Sequence, residues 1–337
     1  MNQGYYPTGS IAVAIGVTAA VFLLTVLLLR FVIPILKSHK AGVRILEIGP
    51  RWHASKAGTP IMGGICFILS TLAVMLVVTV IAAVRSHASD LLPLALTLGL
   101  AVGNGLIGFF DDFCKLVKKQ NEGLKPWQKI VLQFLIGALY LVAMRRFCGL
   151  TTVLYVPYFN VSVELGWFYY VLAFIVILGF VNSVNLTDGI DGLASMVTCV
   201  VGLFFLLAAM RAESFSLLMA AACTVGGTIG FLWYNFHPAR VFMGDTGSLF
   251  LGGMVVGMAF LANNPLILIV IGIIYLIEAG SVILQVGYFK LTHGKRLFKM
   301  APIHHHFEQC GWSENRIVFT FTAITAVFAV LAWFGLG

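Results

Sequence analysis

Residues 91–115, LLPLALTLGLAVGNGLIGFFDDFCK, hold twenty residues without a charged side chain and then two adjacent carboxylates, Asp111 and Asp112. A hydrocarbon core about 30 Å thick takes roughly 20 apolar residues of helix to cross, so the stretch reads as a membrane span with an acidic end. The reading repeats along the chain. Ten such stretches lie at approximately 10–36, 60–84, 91–112, 128–147, 167–187, 190–210, 216–235, 246–262, 265–289 and 315–336. Hydrophobic residues make up 60% of the chain and charged ones 10%, with a mean hydropathy of +0.99, whereas about a quarter of a soluble domain is charged. The predicted fold is an all-α polytopic membrane protein, with residues 1–337 forming a single integral membrane domain. The first stretch has no basic n-region and no small-residue cleavage site, so it is read as a retained span rather than a signal peptide.

With ten spans, the basic residues fall unevenly. The loops that include 37–59, 113–127, 236–245 and 290–314 carry sixteen Lys and Arg at or near the membrane, and the opposite side carries Arg85, Arg145, Arg146 and Arg211. Basic loops stay in the cytoplasm, which places both termini outside and the net charge of +8 on the inner face. That charge suits anionic headgroups or an anionic substrate. Residues 148–166 alternate and are rich in β-branched and aromatic side chains around Pro157 and Asn160, which predicts a small external β-hairpin. The six cysteines show no metal spacing and read as inert thiols.

The aspartates are the anomaly. Five of the six (Asp111, Asp112, Asp188, Asp191 and Asp245) fall at span ends on the basic side. At about 2.5–3.5 kcal/mol for each aspartate at mid-membrane, five unpaired ones would cost on the order of 10 kcal/mol, so they must meet water, a cation or partners. In FFDDFCKLVKK, neighbouring helical positions point about 100° apart. Asp111 and Asp112 therefore address one atom only if the helix has ended, and pairing with Lys115 and Lys118 is the alternative. In NSVNLTDGIDGLA, Asp188 and Asp191 share a helix face if Gly189 opens the next helix, and with Asn182 and Asn185 they make a donor–acceptor cluster for a planar polar group. In RVFMGDTGS, Asp245 stands at a helix start, where it can cap or hold Mg²⁺ against a phosphate, and Phe242 can stack on a base. In KMAPIHHHFEQCGW an extended chain would turn His304 and His306 one way and His305 the other. Lys56, before a Gly-Thr-Pro turn, suits capping or a phosphate. GNGLIG at 103–108 matches a dinucleotide fingerprint but has no strand before it, so its glycines read as close helix packing. Together the pieces point to metal-assisted phosphoryl transfer at a membrane surface. Glu278, alone near the middle of a span, is the feature that would suit the rival class, a secondary transporter.

The stretches FFDDFCK, NLTDGIDGLA, FMGDTGS and MAPIHHHFE closely resemble the signatures of the polyprenyl-phosphate N-acetylhexosamine-1-phosphate transferase superfamily. The Pro-Ile-His-His-His-Phe-Glu run resembles its bacterial phospho-N-acetylmuramoyl-pentapeptide transferase branch. The resemblance implies Mg²⁺-dependent transfer of phospho-MurNAc-pentapeptide from UDP-MurNAc-pentapeptide to undecaprenyl phosphate, with UMP released, at the cytoplasmic face of a bacterial inner membrane. A UDP-GlcNAc transferase is the alternative within the superfamily. The resemblance also implies membrane lipid and a second copy of the chain as partners, and no nucleic acid. By motif, Asp111, Asp112 and Asp245 become the catalytic aspartates. Asp245 and Asn185 become metal ligands. Lys56, Lys115, Lys129, Asn182, Asn185, Asp188, Asp191, Phe242, His304, His305 and His306 would line the donor site. Ile61 stands where relatives commonly have Thr, so a hydroxyl contact is absent there.

Overall fold

The computed structural model describes residues 8–38, 56, 58–84, 88–118 and 122–336. The basic residues Lys40, Arg44, Arg51, Arg85 and Lys119 lie outside them. The chain forms α1 (Thr8–Ser38), α2 (Gly64–Val84), α3 (Ala88–Lys118), α4 (Pro126–Phe147), α5 (Phe168–Thr187), α6 (Leu193–Arg211), α7 (Phe215–Asn235) and α8 (Gly244–Leu261), then short α9 (Leu268–Ile271), α10 (Ile273–Leu291), α11 (Ile303–Gln309) and α12 (Glu314–Phe334). Ten of these are long and apolar enough to cross a membrane, and they match the ten predicted stretches. The protein is a multi-pass membrane protein.

Burial sorts the spans. α7 and α8 are enclosed along most of their length, whereas α1, α4, α10 and α12 turn much of their apolar surface outward. A helix apolar all round is what a lipid or a protein interior accepts. α3 lies along α8, α1 along α7, α6 on α7 and α5 on α8. Small residues let these backbones approach. A Cβ on Gly253 would sit 2.6 Å from the Ala101 Cα, and one on Gly108 would overlap the Asp245 carbonyl. The glycines of GNGLIG thus serve packing, as expected.

The hairpin also forms. β1 (Val153–Val156) and β2 (Val161–Glu164) pair antiparallel with Val156 opposite Val161. The Tyr158 hydroxyl donates to the Leu331 carbonyl at 3.0 Å, tying the hairpin to α12.

Four local expectations need correction. The ninth stretch, 265–289, is broken: Pro265 opens a single 3-10 turn, α9 follows, and α10 starts only after Gly272. Proline lacks an N–H and Gly272 packs on Phe180 with no room for a side chain, so a continuous helix does not form. The triple-histidine segment is not extended but helical, beginning after Pro302. α6 does not start at Gly189. Gly192, at φ +81°, precedes it, so residues 188–192 form a turn and Asp188 caps the end of α5 instead of sharing a helix face with Asp191. Finally, α3 does not end at its aspartates but continues to Lys118.

Candidate active site

α3 brings two carboxylates to the start of α8. Asp112 Oδ2 accepts hydrogen bonds from the Thr246 backbone N–H (2.9 Å) and hydroxyl (2.7 Å), and Oδ1 accepts from Asp245 N at 3.3 Å. A helix leaves its first N–H groups unpaired, and here a carboxylate from another helix fills that need. The capping role open to Asp245 is therefore taken by Asp112, and the Asp245 side chain turns towards the lysines.

Lys129 Nζ lies 2.6 Å from Asp245 Oδ2 and 3.0 Å from Asp111 Oδ1. Lys115 Nζ lies 2.5 Å from Asp111 Oδ2, 3.4 Å from Asp245 Oδ2 and 3.8 Å from Asp112 Oδ1. Asp111 Oδ1 also accepts from Leu124 N at 2.7 Å. Asp111 and Asp112 are buried, while Asp245 stays 20% exposed. Despite the 100° between them, one oxygen from each of Asp111, Asp112 and Asp245 lies within 4.8 Å of the others. Asp245, seated on α3 at Gly108, occupies the sector between them.

Three carboxylates facing two ammoniums leave an excess negative charge among hard oxygen donors, which is the chemistry of a Mg²⁺ or Ca²⁺ site. The acidic cluster can hold a metal ion. Asn185, on α5, completes the wall. Its Nδ2 donates to Asp245 Oδ1 (3.1 Å) and to Ser248 Oγ (2.7 Å), so the nitrogen, not the oxygen, faces Asp245.

A second acidic group lies beyond the turn. Lys56 Nζ bridges Asp191 Oδ1 and Glu314 Oε2, each at 2.7 Å. Asp191 Oδ2 is 2.9 Å from His237 Nδ1 and accepts from Ala239 N at 2.9 Å, while Glu314 Oε2 accepts from Asp191 N at 3.0 Å. Lys56 also stands 5.9 Å from the centre of the Phe242 ring. The segment after Lys56 is zipped to the α7–α8 loop: Phe242 N donates to Pro60 O and Gly63 N to Phe242 O, both at 2.9 Å. Asn235 ties the same loop to the turn, accepting from Gly192 N at 3.1 Å and donating to Val241 O at 3.0 Å.

Between the two groups stands Asp188. Its backbone N–H donates to Asn185 O at 3.2 Å, and among the described residues no hydrogen bond or ion pair engages its carboxylate. Burial, and then the charges of Asp245, Asp112 and Asp191, push its pKa well above the usual carboxylate value, with Lys56 acting in the opposite direction.

The remaining sequence-predicted residues scatter. Asn182 donates to Gln133 Oε1 and to Leu178 O, each at 2.8 Å, and so pairs with α4 rather than with the aspartates. Of the three histidines, His304 is fully buried against Glu278, His305 Nδ1 is 2.6 Å from Glu308 Oε2, and His306 Nδ1 accepts from Lys299 N at 3.1 Å. Glu278 is thus buried and paired with His304. Gln133, Asn235, His237, Ser248 and Glu314 were not singled out from the sequence. Gln133 is an amide inside an apolar span, a signal that could have found it.

Residues 92–263 match the family described as glycosyl transferase family 4. The chain is 46% identical over 316 residues to a phospho-N-acetylmuramoyl-pentapeptide-transferase of Clostridioides difficile (strain 630), covering 93% of each chain. It is 43% identical to one of Halalkalibacterium halodurans, over 92% of this chain and 94% of the relative. One of Listeria monocytogenes is 42% identical, over 96% and 98%. The chain belongs to the phospho-N-acetylmuramoyl-pentapeptide-transferase family, a transferase family of peptidoglycan synthesis.

Proposed function

We propose that this single 337-residue membrane domain transfers phospho-MurNAc-pentapeptide from UDP-MurNAc-pentapeptide to undecaprenyl phosphate, releasing UMP, with Mg²⁺ as cofactor. The observation that carries the reading is the convergence of Asp111, Asp112 and Asp245 with Lys115 and Lys129 at the joined ends of α3 and α8. The asymmetry of basic residues supports placing that end at the cytoplasmic face of a bacterial plasma membrane, with both termini outside.

Asp245 would hold the metal, with Asn185 as second ligand once its amide turns to present Oδ1. When bound, Mg²⁺ supplies positive charge to the diphosphate as its bond to UMP weakens. Lys115, within 3.8 Å of three carboxylates, and Lys129, bridging two, would turn to the phosphates of the bound donor. An oxygen of the lipid phosphate bonds to the phosphorus that bears the sugar, and UMP leaves with the electron pair of the broken P–O bond. Asp111 is the base for any proton on the lipid phosphate, and Asp112 holds α8 in place. The donor would lie across the α5–α6 turn, with Asp188 and Asp191, Lys56 and the Phe242 ring on one side and His304 to His306 of α11 on the other. Holding both substrates at one boundary site removes much of the entropic barrier to their meeting.

Purified protein in detergent with Mg²⁺ and undecaprenyl phosphate should release UMP from UDP-MurNAc-pentapeptide and far less from UDP-GlcNAc. The reverse preference would reassign the donor, and no release from either would remove the reading.

A further inference from the structure

One buried ionisable pair is left unused by the two acidic groups. Glu278 lies in α10 and His304 in α11, both with no solvent exposure, and His304 Nδ1 stands 2.9 Å from Glu278 Oε2. Each keeps one buried atom without a hydrogen-bond partner, Glu278 Oε1 and His304 Nε2. At this distance a proton sits between Nδ1 and Oε2, which fixes both the tilt of the ring and which edge faces away from α10.

That free edge meets Gly189. A Cβ built on Gly189 would overlap His304 Nε2 and Cε1, so the ring fills the space that any other residue at 189 would need. Gly189 follows Asp188 and lies two residues before Asp191, in the turn between α5 and α6. The His304 ring also lies against His305, with centres 4.1 Å apart and the planes tilted by 58°. Glu278, the His304 ring and Gly189 therefore form one chain of contacts reaching from α10 to the turn that carries Asp188 and Asp191.

We propose that Glu278 is a positioning residue for the donor: by holding the His304 ring it sets the seat of the Asp188–Asp191 turn, and so governs nucleotide binding without touching the nucleotide. The inference rests on the reading of that turn as part of the donor site. A bare structural staple would change stability alone. A seat for the turn changes the donor KM and leaves kcat and the lipid acceptor's KM in place.

The experiment uses the full chain in detergent, varying UDP-MurNAc-pentapeptide and undecaprenyl phosphate in turn, with thermal unfolding recorded in parallel. Glu278→Leu should raise the donor KM about tenfold, with kcat within about threefold and the acceptor KM unchanged. Glu278→Gln, whose amide oxygen can accept the same Nδ1–H bond, should stay within about twofold of the parent. An unchanged donor KM in Glu278→Leu, equal losses in both variants, or a loss confined to kcat would overturn the proposal. If Glu278→Leu does not fold, Gly189→Ala, which pushes on Nε2 from the turn side, carries the same expectation, and an unaltered donor KM there overturns it. A parent protein that releases no UMP from this donor sinks the functional reading itself, which separates the two failures.

Discussion

Two acidic groups flank Asp188, and each brings three ligand atoms within 4.8 Å, yet they are built differently. In the Asp191–His237–Glu314 group, backbone N–H groups of Ala239 and Asp191 fill carboxylate oxygens and Lys56 is clamped by two carboxylates at 2.7 Å each. In the Asp111–Asp112–Asp245 group only Asp112 is fully engaged by α8. Asp111 and Asp245 are held mainly by two long, partly exposed lysines that can swing away. Proximity of carboxylates is thus not enough to mark a cation site. What separates them is the lysines: a single one, 14% exposed, is clamped in the first group, whereas two, 28% and 21% exposed, hold Asp111 and Asp245 in the second and keep a place for another cation.

The sharpest break would come from Asp245→Ala. It should lower UMP release at least about a thousandfold while the protein still folds; near-normal turnover measured on folded protein would remove Asp245 from the chemistry. Next in size, Lys129→Gln should cut turnover about a hundredfold and yet lower the Mg²⁺ concentration needed for half-maximal rate, because the ammonium between Asp111 and Asp245 no longer competes. A Mg²⁺ requirement that rises instead would make Lys129 a metal-site organiser rather than a stand-in. Glu314→Gln tests the clamped group. It should cost about 1 kcal/mol of stability by weakening a partly buried ion pair, read as a lower unfolding temperature, and leave the Mg²⁺ dependence of the rate where it was.

The smallest effect concerns Asp188. Its folded-state pKa lies above the ordinary carboxylate value, so the folded protein holds a proton there that the unfolded chain has lost, and stability declines as pH rises through that window. Asp188→Asn should remove the decline. Without substrate, its unfolding temperature should match the parent at pH values below the ordinary carboxylate pKa and exceed it increasingly towards neutrality.

The sequence carried the spans well, because a bilayer demands long apolar stretches and the chain has little else. It also exposed Asp111, Asp112 and Asp245, since a carboxylate beside such a stretch stands out. It did not reveal that Asp112 caps α8, that Asn182 pairs with Gln133 or that Lys56 reaches Glu314, because hydropathy carries no information on which helices become neighbours. The break at Pro265 and Gly272 was hidden for a related reason: both lie in a run apolar enough to pass as one span. Spacing alone puts Asp188 and Asp191 on one helix face, but the turn over residues 188–192 between α5 and α6 takes both off a helix.

The contact at Gly108 has a further meaning. Because the Asp245 carbonyl rests where a side chain would begin, the distance between α3 and α8 is gauged by a hydrogen atom, and the gap between the acidic oxygens inherits that gauge. One added methyl group, carrying no charge and touching no substrate, would act as a shim and spread the three carboxylates apart.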